Sequence, residues 1–376
     1  MIEVARRGFR WEARFGARFA SAVDLSELAG YSDRLPDARR AGARRESAAY
    51  LGALGQAGPD CEFALHGGPG WSGITGVLRG PYREGVERDA ERVLERVLAV
   101  PEHLVAEPGL PEPDALEPPR AGWVAELRRR CLVAPATRPD AGKRYYLTMP
   151  PLVSEPRVWD GLVDRLPEGV RLVVGLRPVR VEHEFTARLR SYAEQYAVLA
   201  APGEFSGGGM YSGRRMLAGE PFAADAAALF RDAAERYAGW AFQARVSLVA
   251  PGRLAPALVS ALEQAVRGVL VEPTPPDRAA ALRALTTWDA PAWGTPSWGA
   301  DPAVPPALAP LRELADAVDA AQVAWLPAAA TGVLRSLPVT PPPPERRTAR
   351  GVVFEGPVTV AGDLVGGDKH RWDAPR

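Results

Sequence analysis

At 376 residues the chain exceeds one ordinary single-core domain, so two compact units are the starting expectation. Apolar residues at 47% and charged residues at 24% exclude a disordered chain, and a net charge of zero lacks the basic excess that usually holds duplex DNA. The opening MIEVARRGFRWEARF has no signal-peptide core, and no run approaches the ~18 apolar residues of a membrane span, so a cytoplasmic protein is expected.

Residues 1–57 read as a poorly periodic opening segment with one short helix near 46–55. The pattern then sharpens. Cys61-Glu62-Phe63-Ala64-Leu65 and part of 73–78 alternate apolar and polar residues around the turn Gly67-Gly68-Pro69-Gly70, which predicts a hairpin. Val86, Ala90, Val93, Leu94 and Val97 recur at three- and four-residue spacing, predicting an amphipathic helix over 83–100 that Pro101 ends. Residues 107–120, rich in proline and glutamate, read as a loop. Residues 123–133 and 144–149 read as a second pair of strands on the same sheet. Ser154 is placed to cap a short helix reaching Leu166. The apolar run 170–176 predicts a central buried strand. Phe185, Leu189, Tyr192, Tyr196 and Leu199 mark one face of a helix over 181–199. The glycine-rich stretch 206–213 reads as a connector to the next helix, 223–237. Residues 240–249 alternate as a strand, and 254–271 close the unit with a helix.

Hairpins mixed with crossover helices predict an α+β fold, a mixed or antiparallel sheet with helices packed on one face, over the core domain 58–271. Residues 272–340 add an insertion containing Trp288, Trp293 and Trp298, then a closing helix within 305–326. The last unit, 341–376, is a semi-rigid linker of four prolines and a tail with two short strand-like pieces.

The basic residues are almost all arginine, Lys143 and Lys369 being the two lysines. With abundant alanine, glycine and proline, this looks like the coding bias of a GC-rich bacterial genome and carries no functional message. A phosphate-binding loop needs a lysine followed by Ser or Thr after a glycine turn. Arg144 follows Lys143 and His370 follows Lys369, so the chain is not a P-loop NTPase. The glycines between Ser206 and Gly213 would suit an anion, but a connector accounts for them. His66-Gly67-Gly68-Pro69-Gly70-Trp71-Ser72-Gly73 is similar to an oxyanion loop beside a serine, yet Ile74 stands where a nucleophile elbow requires glycine. His66, His103, His183, His370, Cys61 and Cys131 share no metal-ligand spacing, and both cysteines are expected as buried free thiols. Arg39, Arg40, Arg44 and Arg45 form one basic cluster and Arg128, Arg129 and Arg130 another; both read as solvated faces or contacts to an acidic partner. No catalytic residue, metal ligand or cofactor is assigned.

Two stretches carry a resemblance. One includes Tyr145, Leu147, Met149-Pro150, Trp159, Leu162, Leu166, the strand 170–176 with Arg177-Pro178, Pro221, Phe230, Tyr237 and Phe242-Gln243-Ala244-Arg245-Val246. The other is Leu311-Arg312-Glu313-Leu314, Asp319-Ala320-Ala321 and Trp325-Leu326-Pro327. Together, over roughly 55–335, they resemble the region preceding the motor in bacterial HerA/FtsK-type translocase ATPases, including those of conjugation and defence systems. Where the motor would follow, this chain has the proline linker and tail, which implies a motor-less relative whose ATPase is a separate chain. The tail's Gly362-Asp363-Leu364-Val365-Gly366-Gly367-Asp368-Lys369 resembles a short peptide of bacterial conflict-system proteins and implies a connecting role.

The expected function is a non-catalytic adaptor or assembly subunit of a conflict, defence or DNA-processing system. Its partner would be a HerA-like ATPase or an effector, or a second copy, docked through Gly362, Asp363, Gly366, Gly367, Asp368 and Lys369. Nucleic-acid binding is expected to be weak at most, and no membrane partner is expected. Two alternatives stand beside it. One is a hydrolase or transferase whose site is assembled from scattered residues; the other is a nucleic-acid module using the two arginine clusters.

Overall fold

The computed structural model describes residues 2–68, 72–110, 122–138, 145–148, 150, 156–206, 214–272, 306–330 and 334–342. The opening segment is not irregular: β1 (Ile2–Arg7) and β2 (Arg10–Val23) form a long antiparallel hairpin. In β2 the buried or half-buried Trp11, Ala13, Phe15, Ala17 and Phe19 join the main core, and Glu12, Arg14, Gly16 and Arg18 occupy the alternate positions. Gly8, with φ of 60°, supplies the two-residue turn. The following helix, α1 (Pro36–Gly55), is 20 residues long and begins well before the expected short piece.

β3 (Cys61–Gly67) and β4 (Gly73–Gly80) pair as the expected hairpin, and α2 (Arg83–Leu98) follows with Val86, Ala90, Val93 and Val97 buried. Next come β5 (Leu104–Pro108), β6 (Trp123–Arg129), β7 (Leu132–Pro135), β8 (Tyr145–Thr148), α3 (Pro156–Val163) and β9 (Arg171–Arg180). Then follow α4 (His183–Ala200), β10 (Gly203–Ser206), β11 (Arg214–Leu217), α5 (Pro221–Arg236), β12 (Trp240–Ala250), α6 (Pro256–Ala265) and β13 (Gly268–Val271). A 3-10 helix (Pro306–Arg312), β14 (Leu314–Ala315), α7 (Ala317–Val323) and β15 (Val339–Thr340) complete the described chain.

The main sheet runs β1-β2-β4-β3-β9-β12-β6-β13, each neighbour antiparallel to the next. β14 adds to β12, and β5 and β15 add to β2, the last in parallel. The fold is therefore α+β, with a mixed and mainly antiparallel sheet. Residues 2–23 belong to the same sheet as the core strands. Buried side chains of α1, α2, α3, α6 and α7 share one core with one face of this sheet, around fully buried Phe15, Phe19, Phe63 and Trp159. Each such side chain contributes about 1.5–3 kcal/mol of transfer free energy. At Phe15↔Gly76, the glycine leaves room for the ring, which would lie 2.3 Å from an added Cβ. A second core joins α4 to α5, where Tyr192 and Tyr196 stack on Phe230 with centroids 5.4 and 5.5 Å apart.

Several local expectations are corrected. β6 does not pair with β8; it joins β12, while β7 and β8 form a separate two-stranded sheet. The glycine stretch expected to connect two helices lies between the paired strands β10 and β11. The helix expected to reach Val271 stops at Ala265. Arg267 adopts φ of 46°, and the chain then returns along β6 as β13. Residues 305–326 form a 3-10 helix, then β14, then α7, the expected helix. Pro310 lies inside the first and has no N–H to extend an α-helical ladder. Cys61 is a buried free thiol, but Cys131, between β6 and β7, is only half-buried. Among the described residues no helix is long and apolar enough to cross a membrane.

Candidate functional site

The most heavily bonded polar cluster sits where one edge of β12 changes partner. Val246 to Ala250 pair with β6, whereas Phe242 and Gln243 pair with β14, and Ala244 N–H donates to Glu313 O at 2.7 Å. β6 must leave β12 to admit β14, and Arg129 lies at the end of β6 as the two diverge. Its side chain is 3% exposed. Nη1 donates to Leu311 O at 2.7 Å and Nη2 to Leu314 O at 2.9 Å, satisfying carbonyls that flank the end of the 3-10 helix.

Asp319 is the second member. Arg236, the last residue of α5, grips it in a fork, Nη1 on Oδ1 at 2.8 Å and Nη2 on Oδ2 at 3.0 Å. Oδ2 also accepts from the Tyr237 hydroxyl at 3.2 Å and faces Arg129 Nη2 at 3.5 Å. Asp316 caps α7 by accepting from Asp319 N–H at 2.6 Å. Burial works against the Arg236 charge, but Asp319, Tyr237 and Asp316 outweigh it and raise its pKa above the ordinary value. Burial also raises the pKa of Tyr237 and of Asp316. A carboxylate bonded at both oxygens, 1% exposed and held between guanidinium groups is built to hold. The cluster is a lock.

What it locks is a strap. From α7 the chain runs back across the body, and α7 packs on α1. Trp325 lies against Gly67, where a Cβ would come within 2.8 Å of the indole, so only glycine lets the strap sit this close. Ala329 O accepts from Leu25 N–H at 2.8 Å. Asp164 collects the backbone N–H groups of Arg335 and Ser336 and the Ser336 hydroxyl. At the far end β15 lies parallel on β2, and the Ser21 and Thr340 hydroxyls meet at 3.0 Å. The prolines from 341 onward thus start from a fixed place beside β2.

Beside the lock, a cleft of about 70 Å³ is lined in part by Glu126, Arg128, Arg129, Ala244, Arg312 and Glu313. That is well below the roughly 300–1,000 Å³ of ordinary ligand pockets. Its acidic groups are engaged: Glu126 with Arg128 at 3.3 Å and Arg245 at 3.5 Å, Glu313 with the Gln243 amide at 2.5 Å.

The residues singled out in the sequence fare differently. Gly362, Asp363, Gly366, Gly367, Asp368 and Lys369 lie outside the described residues, as do Lys143, His370 and the tryptophans of the insertion. Three members of the first arginine cluster are half-buried and bonded within the chain. Arg39 donates to Tyr31 O and Ser32 O, Arg40 pairs with Asp37, and Arg44 with Asp160, leaving Arg45 exposed. In the second, Arg130 is exposed and Arg128 pairs with Glu126, but Arg129 is buried in the lock, so this cluster is not a solvated face. His66 is buried, its Nε2 3.0 Å from the Thr75 hydroxyl, and Ser72 donates to Gly68 O at 3.3 Å, both within their own hairpin. Burial, helped by Arg171, pushes the His66 pKa down to about 3. His103 is buried with Nδ1 3.6 Å from Glu46, and His183 is exposed at the start of α4. Among the described residues no group of three or more His, Cys, Asp or Glu is placed to hold a metal ion. The roles of Arg236 and Asp319 were not visible in the sequence, because β6, α5 and α7, which bring them together with Arg129, are far apart along the chain. No family model and no curated protein matches the chain.

Proposed function

We propose that this chain is a non-catalytic adaptor or assembly subunit of a bacterial conflict, defence or DNA-processing system, docking on a separate ATPase or effector. The observation that carries this reading is the strap. The deepest ion network is spent on fastening 306–340 to the body, and the end of that segment is hydrogen-bonded to β2. An adaptor needs this kind of fixed origin for a docking segment, since a tethered segment engages its partner at an effective concentration set by its anchor and linker. The resemblance to the region preceding HerA/FtsK-type motors supports an ATPase as the partner. In this reading Gly362, Asp363, Gly366, Gly367, Asp368 and Lys369 dock by adding main-chain hydrogen bonds to a partner's sheet edge, with the charges setting register.

The test is a chain cut after Pro344, compared with the full chain by light scattering and by pull-down against a HerA-like ATPase of the same cell. A truncation that keeps the melting temperature and loses association supports the reading. Unchanged association, or a truncation that no longer folds, overturns it.

A further inference from the structure

β1 has β2 on one side and, among the described residues, no strand on the other. Proteins guard such an edge with charge, proline or a bulge, because its unpaired N–H and C=O groups accept other strands. β1 has neither proline nor bulge, and all six of its residues pair in unbroken register with β2. It does carry charge, and the order of the charges matters. Glu3, Ala5 and Arg7 alternate along one face and are exposed, while half-buried Ile2 and Val4 pack against the main core from the other. Neither charge is well matched within the protomer. Glu3 lies opposite Arg14, which pairs with Glu12 at 3.0 Å, and Glu3 itself forms no ion pair among the described residues. Arg7 lies opposite Arg10, a like charge, and reaches Glu12 only at 4.0 Å with its side chain 59% exposed.

A guard against every strand would carry one sign of charge. An acid and a base four positions apart, centred on a small residue, instead complement their own sequence run in reverse. We propose that β1 pairs antiparallel with β1 of a second copy about a two-fold axis at Ala5. The sheet then runs on across the dimer, and Glu3 of each chain lies opposite Arg7 of the other. A slip of one residue would turn the faces over. A slip of two sets Arg6 against Arg6 in one direction; in the other, Glu3 meets Ala5 and both ion pairs are lost. The strand-like pieces of the tail, Val352-Val353-Phe354 and Val358-Thr359-Val360, hold no charged residue to match Glu3 or Arg7, so a second copy suits this edge better. The seam has six residues a side, against the ~20–30 of a standard interface, so the dimer is weak, with a Kd on the order of 0.1 mM. At dilute concentration the monomer therefore sets the melting temperature. The proposal stands independently of the adaptor reading, since the tail takes no part in the seam.

The test is sedimentation equilibrium of the full chain over a concentration series, where a reversible dimer is expected. Glu3→Arg and Arg7→Glu each set like charges against one another and should weaken the dimer about tenfold or more. An equimolar mixture of these two variants again opposes unlike charges at both pairs and should recover the original affinity, as should the double variant. Cys61 is buried but Cys131 is half-buried, so cross-linking is read in a Cys131→Ser background. There Ala5→Cys should give a disulfide-linked dimer, because residues directly opposite in antiparallel strands hold their Cα atoms about 4.5–5.5 Å apart, within disulfide reach. Glu3→Cys should not. The tail or a foreign strand on this edge would keep the two Ala5 positions apart and give no cross-link. All the β1 positions changed are exposed, and an unchanged melting temperature at dilute concentration confirms that the variants fold. No dimer even well above the expected Kd, a dimer indifferent to the charge changes, or failure of Ala5→Cys to cross-link in preference to Glu3→Cys overturns the proposal.

Discussion

Two arginine-rich stretches, 6–10 and 128–130, end in opposite situations. At the first turn Arg7 and Arg10 face each other in solvent, their side chains 59% and 63% exposed. At the strand fork Arg129 is 3% exposed and reaches acceptors 182, 185 and 190 positions away along the chain. Arginine content is the same kind of signal in both. The difference is the supply of acceptors, because the fork delivers two carbonyls and a carboxylate whereas the turn faces water. A run of basic residues therefore says nothing of its role until the strand pairing around it is known.

The sharpest way to break this contrast is to remove the acceptor. Asp319→Ala leaves the buried Arg129 without its carboxylate and the half-buried Arg236 with Asp232 as its near partner, and urea denaturation should show a loss of about 3 kcal/mol. Replacing both Arg236 and Asp319 by apolar residues of similar size should restore only part of that loss, since the buried Arg129 still lacks its carboxylate. A single-variant loss below ~1 kcal/mol would mean that Asp319 is not the lock.

His66 sharpens the contrast from another side, as a buried base that avoids charge altogether. Its pKa of about 3 lies below the unfolded value near 6.5. Between these values the unfolded chain takes up a proton that the folded chain refuses. The contribution is thus fully present above pH 6.5 and is lost as pH falls through the window, by about 1.4 kcal/mol per unit. His66→Gln should flatten the acid side of the stability profile; a slope unchanged in that window would assign the acid sensitivity elsewhere. The smallest effect belongs to the exposed turn. Arg7→Thr should change stability by no more than about 0.5 kcal/mol, and in the stabilising direction, because it relieves the like-charge pair. A clear destabilisation by calorimetry would show that the turn arginines hold the hairpin together after all.

The elements that could be read from the sequence were those with a strong period and large apolar residues. Val86, Ala90, Val93 and Val97 mark α2, and the run within β9 is central and buried, as its composition implies. β2 has an equally strict alternation, yet three of its alternating positions, Ala13, Gly16 and Ala17, are small and blur the apolar contrast. β13 was absorbed into the preceding helix because Gly268 to Val271 extend its apolar pattern, and the break rests on the backbone at Arg267. The lock was beyond reach for another reason. Asp319 and Arg129 are ordinary charged residues until β14 displaces β6 from part of β12, and no local pattern encodes that exchange. β14 itself is only two residues long.

The parallel seating of β15 on β2 joins residues 319 positions apart through the Ser21–Thr340 hydroxyl contact. During synthesis β2 emerges more than 300 residues before the strand that completes this part of its edge. Until then the edge at Ala22 and Val23 waits without its last partner, and the docking of the strap cannot begin. Contacts this distant raise the loop-closure cost before any pairing rewards it, so refolding should be slow and its final phase should be the arrival of the strap. The interval before that arrival is when the chain is most open to pairing with a neighbour instead of with itself.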